Sequence, residues 1–562
     1  MDSMDGPASS AIPSGMMMSN GQLNTSYFDG NISAGYDFLQ SILDFDAFNG
    51  LNQYYGNVYW IVVGSVIGGL AVTHFCQRYL SMTAEDVGAG LLVRPFSFFN
   101  GMLDRQLVWS TLPLKNIAVI AVYFGLVMCV IFIDAWTAGF QQYASIGFRA
   151  GWIAAAQLPL VVLLAGKKNI IGYLTGTSYE RLNYLHRWVA RIIFVCATIH
   201  MISMYRNFLE FGFTAMEWQT DTCPPTGTAA WVLLFWIVLS SLSPVRNLRY
   251  EIFVAQHVIS YMGFIIAVIM HIQPFPQTIW VYAYIPCGLF VVDRLIRLAF
   301  YIRGTSKARL HKLGNDLTLV TVKSNRLRSW EPGQFVLLSI PKLGLFQSHP
   351  FTISNLPNSD NEMRLICKRK GGFTKTLNDF AETASNKPLL SFVDGPYGDV
   401  SKLQMYENLV LVVGGAAISF AMPVLSSIVL ESRRLSIATR NVTLIWAVRS
   451  VEYLDWAIYE LHQLKRAGTV EAKVQLFLTT GEASEKGKSR IGDLPDFVTL
   501  SYGRPQLSEA IPLISSAESA FAVAGPESLQ LEVRNYVSEL NLARARYGSI
   551  PSVHLHVERH TY

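Results

Sequence analysis

Between residues 57 and 302 the chain repeats one pattern, runs of almost wholly apolar residues, each near the ~20 needed to span a bilayer, parted by short polar turns. The runs fall at 57–76, 116–139, 150–166, 183–204, 229–245, 251–272 and 277–302, with breakers at Ser243-Pro244 and Gln273 to Pro276. Lipid offers the backbone no hydrogen-bond partner, so runs of this length are confined to helices, and seven crossings are expected. Only 15% of the residues are charged and the mean hydropathy is +0.29, which excludes an ordinary soluble protein, where charged residues make up roughly 25%.

Basic residues give the bundle a direction. None precedes Arg78; Arg78, Arg94, Arg105 and Lys115 then surround the first connection, and Lys167, Lys168, Arg181, Arg246, Arg249, Arg294, Arg297 and Arg303 mark later alternate loops and helix ends. The positive-inside rule makes those sides cytoplasmic, with the N-terminus outside and the C-terminus inside. Residues 1–56 carry acidic but no basic side chains, are rich in Ser, Gly, Asn and Met, and read as an extracellular, disordered segment. Asn24-Thr25-Ser26 and Asn31-Ile32-Ser33 are glycosylation sequons that such a segment could use. The opening residues lack a basic n-region and an apolar core, so the first span is expected to do the targeting. The six cysteines are scattered without a CxxC pair, which argues against zinc or a disulfide framework.

His186 and His200 share one predicted helix, and His257 and His271 share another, with the same spacing. Fourteen steps of 100° return to within about 40° of the starting face and rise ~21 Å. One crossing separates the two helices, so they run parallel, and His186 faces His257 at the inner level while His200 faces His271 at the outer. Neutral imidazole is a good axial ligand for haem iron, and two per iron favour electron transfer over ligand binding. A lone membrane histidine would as readily bond a neighbouring helix or line a proton path, and the unpartnered His74 is left with that reading. Two equal spacings in register favour haem. Arg187 and Arg191, in "LHRWVARI", suit haem propionates or positive-inside anchoring.

After residue 304 short β-type runs such as "LTLVTV" at 317–322 and "QFVLLSI" at 334–340 predict a small antiparallel barrel over 304–403. From 404 to 562, strands such as "LVLVV" and "NVTLIWAV" alternating with helices predict an α/β domain on a parallel sheet. "HPFTIS" at 349–354 and "KRKGGFTKTL" at 368–377 hold, in order, what a flavin needs: an apolar wall at Phe351, a hydroxyl at Thr352, and phosphate donors from Lys368 and the Gly372-Phe373-Thr374 turn, with His349 and Pro350 opening the motif. Thr374 suits a helix N-cap. Gly414-Gly415 after "LVLVV" reads either as a dinucleotide-phosphate turn or as plain helix-packing glycine. Gly525-Pro526 in "FAVAGPESL" suits the nicotinamide side, and Arg449, after a strand, suits a 2′-phosphate and hence NADPH.

Together these residues resemble the ferric reductase family of fungal plasma membranes, related to the NADPH oxidases. The resemblance runs from about residue 116 to the C-terminus on "LHRWVARI", the equal histidine spacings, "HPFTIS", "GGFT", "VDGPYG" at 393–398, the double glycine and the Gly-Pro turn. It implies a haem core at about 116–272, then a flavin barrel and a nicotinamide domain similar to ferredoxin-NADP reductase. It further implies two b-type haems, FAD and NADPH, with Thr352 near the flavin N5, Phe351 stacked on the ring, and Tyr562 covering the flavin face until hydride transfer. Ala417, Ala524 and Ala190 depart from the family's glycine, cysteine and glycine.

The implied activity is a metalloreductase that carries electrons from cytosolic NADPH through FAD, the inner haem and the outer haem to extracellular ferric chelates or siderophores in support of iron uptake. An iron permease or ferroxidase is an expected partner, alongside the lipid bilayer and without nucleic acid. An NADPH oxidase, with dioxygen as acceptor, is the alternative, and a non-catalytic transporter or signalling subunit would leave the flavin and nucleotide motifs without purpose. Glu210, Glu217 and Asp221 form an acidic outer loop, either solvated or attractive to ferric ion.

Overall fold

The computed structural model describes residues 45–79, 93–133, 142–211, 214–314, 316–324, 326–345, 347–384, 386–398, 403–433, 437–449, 451–465, 470–480, 494–507, 518–547 and 553–558. They fall into two compact units: residues 1–75 with 119–294, and residues 76–118 with 295–562. The glycosylation sequons and Tyr562 lie outside the described residues.

The helices of the apolar half are α1 (Phe45–Tyr79), α2 (Val93–Asp104), α3 (Leu114–Phe132), α4 (Gln142–Ala156), α5 (Leu158–Ala165), α6 (Ile170–Thr175), α7 (Tyr179–Phe211), α8 (Thr214–Thr220), α9 (Cys223–Ser240), α10 (Ser243–Arg246), α11 (Tyr250–Ile272) and α12 (Gln277–Arg303). Among the described residues six stretches are long and apolar enough to cross a membrane: Asn49–Cys76, Leu114–Phe132, Gln142–Ala165, Tyr179–Leu209, Cys223–Ser240 and Tyr250–Ile272. Exposed Ile61, Val122, Ile202 and Ile259 suit a lipid surround. The seventh expected crossing is one continuous helix, α12, which Pro286, three tyrosines and Asp293, Arg294, Arg297 and Arg303 make less apolar than the other six.

Polar side chains inside the first unit bond to one another and to helix carbonyls, as a low-dielectric interior favours. The Tyr59 and Tyr123 hydroxyls lie 2.9 Å apart, Tyr123 donates to Gln157 Oε1 at 2.7 Å, and Gln157 Nε2 donates to Ile153 O at 3.0 Å, tying α1 and α3 to the α4–α5 junction. Arg149 is 2% exposed; it donates to Asn52 Oδ1 at 2.6 Å and to the carbonyls of Val130 and Ile133, and its guanidinium lies 3.7 Å over the Tyr55 ring. The contact with α1 is thereby fixed by one buried cation.

The second unit contains two six-stranded sheets. The strands are β1 (Thr305–Leu313), β2 (Leu317–Ser324), β3 (Phe335–Ser339), β4 (His349–Thr352), β5 (Glu362–Lys368), β6 (Leu389–Tyr397), β7 (Asn408–Gly414), β8 (Asn441–Val448), β9 (Glu471–Leu478), β10 (Val498–Tyr502), β11 (Ser519–Ala524) and β12 (Val553–Glu558). The helices are α13 (Gly372–Thr383), α14 (Ile418–Glu431), α15 (Leu454–Lys465) and α16 (Glu527–Tyr547).

The first sheet is antiparallel in the order β4-β3-β6-β1-β2-β5, packed on α13 through Phe373, Leu377 and Ala381. The expected barrel is not shown as closed. Edge strands β4 and β5 meet through one bridge, Ile353 to Leu365, because β4 is four residues long and Pro350 has no N–H to give. The second sheet is parallel, in the order β10-β9-β8-β7-β11-β12, as the alternating pattern predicts. Along β7, Leu409, Leu411 and Val413 pack on the face of α14 and α15, while Val410 and Val412 pack with Val533 and Val537 of α16. Burial on both faces explains the unbroken apolar run.

Helix α2 also belongs to this unit, and nothing in the sequence foretold it. Ser538 Oγ donates to Gly101 O at 2.6 Å and Gln106 N to Asn535 Oδ1 at 3.0 Å, seating α2 on α16. A Cβ at Gly101 would stand 2.9 Å from Leu542 Cγ and 3.0 Å from Leu542 N, so only glycine allows this approach.

Candidate functional site

The four histidines meet as the spacing requires. The His186 and His257 ring centres are 6.4 Å apart and those of His200 and His271 5.8 Å, each pair formed between α7 and α11 with rings inclined at 67° and 74°. A metal–imidazole bond of about 2 Å, plus about 1 Å from nitrogen to ring centre, puts two axial ligands of one iron about 6 Å apart, so both pairs fit haem.

The second nitrogens strengthen the fit. Nδ1 of His186 lies 2.8 Å from Val161 O, Nδ1 of His200 2.7 Å from Gly147 O, and Nδ1 of His271 2.9 Å from Cys223 O. A carbonyl can only accept, so each Nδ1 carries the proton and each Nε2 keeps its lone pair for a metal. Among the described residues His257 Nδ1 is buried without a hydrogen-bond partner. Glycines make room: a Cβ at Gly151 would stand 2.8 Å from His200 Nδ1, and one at Gly227 2.7 Å from His271 Cε1. Sequence reasoning missed these three carbonyls, which have no residue signature, and Gly151 and Gly227, which do.

Arg191 lies 4.7 Å over the Trp188 ring on its own helix. Glu217 is 5% exposed, so it is no solvated attractor of ferric ion; Asp221 Oδ1 accepts from Cys223 N at 2.9 Å, and the Glu210 side chain lies outside the described ones.

In the antiparallel sheet, "HPFTIS" and "GGFT" come together. The His349 ring stacks on Phe373 at 4.6 Å, joining β4 to the first turn of α13. Phe351 and Thr352 are buried, Phe351 in the sheet core, and Pro350 before them is half-buried. The N-cap of α13 is Gly371 and not Thr374, whose hydroxyl accepts from Lys370 N and donates to Gly371 O. Gly372 has φ +49°, and an added Cβ at Gly371 would meet open space, so the helix start offers N–H groups to an anion such as the flavin pyrophosphate. Lys368 Nζ lies 3.9 Å from Asp316 Oδ2 and 5.6 Å over the Tyr453 ring. Cys367 beside it is buried and its thiol is pushed well up by desolvation, which makes it a core residue and not a redox group.

In the parallel sheet β7 and β11 are neighbours although the strand order reverses there, the switch point at which such sheets bind ligands beyond their carboxyl ends. Gly414-Gly415 and Gly525-Pro526 sit on those two ends. A Cβ at Gly525, φ +144°, would stand 3.0 Å from Gly414 N, and one at Gly414 would stand 2.7 Å from Pro526 Cδ. Gly415, φ +58°, is held by Trp446 Nε1 donating to its carbonyl at 3.0 Å. The crowding is between the two turns, which brings them into direct contact across the switch point. Ala417 and Ala524 are both buried. Arg449 is exposed at the end of β8, where Thr480 Oγ1 donates to its carbonyl.

Three protein families match consecutive parts of the chain: a ferric reductase like transmembrane component over residues 150–268, an FAD-binding domain over 302–401 and a ferric reductase NAD binding domain over 406–538. A probable cell surface ferric reductase of Aspergillus oryzae is 31% identical over 342 residues, covering 56% of this chain and 45% of the relative. Ferric reductase transmembrane component 4 of Saccharomyces cerevisiae is 30% identical, covering 57% and 44%, and ferric/cupric reductase transmembrane component 2 of the same yeast is 29% identical, covering 71% and 59%. The chain thus spans about half the length of the curated relatives it matches.

Proposed function

Because this chain is a homologue of the fungal ferric reductases and carries their transmembrane, FAD-binding and NAD-binding domains in order, we propose that it is an NADPH-dependent transmembrane ferric-chelate reductase using FAD and two b-type haems. The observation that carries the proposal is the pair of facing imidazole pairs, three of whose four rings are held with Nε2 free for a metal.

His186 with His257 would hold the inner haem, and His200 with His271 the outer. When bound, haem supplies a one-electron relay and FAD the means of dividing a hydride into single electrons. The protein's part is to hold and exclude. The carbonyls of Val161, Gly147 and Cys223 orient the ligands, and the packed helices keep water out. Thr352 and Phe351 would face the flavin ring, and His349, Pro350, Lys368 and the Gly372-Phe373-Thr374 turn would hold its other groups. Gly414, Gly415, Gly525 and Pro526 would seat the nicotinamide nucleotide across the switch point, with Arg449 selecting the 2′-phosphate and Tyr562 yielding the flavin face.

The membrane is the plasma membrane, with the N-terminus outside and the nucleotide domains in the cytosol, a reading supported by the basic connections and needing α12 as a seventh crossing. The acceptor is a ferric chelate at the outer surface. The test is ferric reduction by intact cells carrying His200→Ala, with superoxide release measured alongside. Loss of ferric reduction with loss of one haem per chain is expected. Unchanged ferric reduction without the outer haem would overturn the proposal, and superoxide as the main product would replace the acceptor with dioxygen.

A further inference from the structure

Helix α2 and the turn after it have two faces, and only one is accounted for. Gly101, Ser538, Asn535 and Leu542 lock the inner face to α16. The outer face presents Phe98 and Phe99, 48% and 54% exposed, and Met102; beyond the helix, Val108 and Trp109 are 85% and 81% exposed. Such apolar exposure on two successive residues at a turn tip is unlike a solvated loop.

The tip is rigid. Gln106 bridges Pro113, Leu114 N donates to Arg105 O at 2.9 Å, Ser110 N donates to Leu107 O at 2.9 Å, and Gln106 Nε2 donates to Ser110 O at 2.9 Å. Lys115 Nζ sits 2.6 Å from Asp104 Oδ1, closing the helix end against the start of α3. Val108 and Trp109 are therefore displayed and not merely untucked.

We propose that this face is a membrane-surface anchor, with Phe98, Phe99, Met102, Val108 and Trp109 set into the headgroup region of the leaflet on the nucleotide side. Chain continuity names the occupant. The segment is bracketed by two membrane spans, Asn49–Cys76 and Leu114–Phe132, and the second begins five residues after Trp109, a reach of at most about 18 Å. Aromatic residues favour the interface at this depth, and an amphipathic helix with such a face lies in its plane. Exposed Arg105 and the neighbouring Lys115 complement an anionic headgroup layer. Because the opposite face is locked to α16, the anchor gives the nucleotide-binding domain a second attachment to the bilayer, besides the covalent link from α12 into β1.

The test uses the full chain in native membranes with the photo-crosslinking residue benzoylphenylalanine replacing Trp109, or in separate chains Val108 or Phe98, and replacing the exposed Tyr502 of β10 as control. Chains that keep their haem absorbance are irradiated, purified and analysed by mass spectrometry. Phospholipid adducts at least about fivefold above the Tyr502 control are expected at Trp109 and Phe98. Crosslinked dimers would identify a second copy as the occupant, a foreign peptide would identify a protein partner, and adducts no more frequent than at Tyr502 would mean an open surface. Each of these three results overturns the anchor.

Discussion

The inner and outer histidine pairs lie on the same two helices and are held differently. At the outer level both rings are pinned through Nδ1, by Gly147 O and Cys223 O, and both stand against a glycine, Gly151 and Gly227, that leaves no slack. At the inner level His186 is pinned by Val161 O, while His257 Nδ1 is buried with nothing to bond. Identical spacing has produced one over-determined site and one half-determined site. The difference arises outside the histidine helices: the outer carbonyls come from the start of α9 and from α4, whereas among the described residues no carbonyl bonds His257 Nδ1.

The contrast breaks most visibly at Gly227. Gly227→Leu puts side-chain atoms where the His271 ring now lies. Haem content is expected to fall from two per chain to one, with ferric reduction down about 100-fold, the upper range for loss of ligand support. Pyridine haemochrome titration and a surface ferric assay measure both. Loss of the inner haem as well would show that the two sites do not stand independently.

The nucleotide-binding end should fail without touching either proposed haem site. Gly525→Val forces a branched side chain into φ +144° and against Gly414 N. Haem content should be unchanged and dithionite should reduce both haems, while NADPH-driven reduction falls about 30-fold, equivalent to roughly 2 kcal/mol. A parallel loss of haem would mean that the variant unfolds and carries no information on the switch point. A smaller effect is expected at Arg449→Ala, a surface side chain: the kcat/KM preference for NADPH over NADH should drop about tenfold, through KM for NADPH alone. An unchanged preference would remove the 2′-phosphate role.

The spacing of the four histidines was legible because a helix advances by a constant rise, so separation in sequence becomes separation across the membrane without further information. The same holds for the parallel sheet, where burial on both faces leaves an apolar run in β7. The failures share a cause. Val161 O, Gly147 O and Cys223 O act through backbone that every residue has. The seating of α2 on α16 joins segments more than four hundred residues apart and shows only as Gly101. Closure of the antiparallel sheet turns on whether β4 and β5 pair, which Pro350 limits but no periodicity reports. The seventh apolar run forms α12, whose apolar first half draws attention from the charges of the second. Glu217 was read as exposed because acidic residues usually are, and its burial follows from packing that the sequence does not display.

The sharpest use of the comparison needs no change at a ligand. One backbone hydrogen bond to a ligand contributes about 1 kcal/mol, or about fivefold in an equilibrium constant. The outer pair has one more such bond than the inner. With haem content confirmed at two per chain, transfer of haem to excess apomyoglobin should therefore be biphasic, with the inner haem leaving about fivefold faster, and the phases can be assigned in Gly227→Leu, which retains only the inner site. That variant should show the fast phase alone. If its single phase matched the slow one, the missing partner at His257 Nδ1 would carry no energetic weight, and the asymmetry would be one of geometry without consequence for binding.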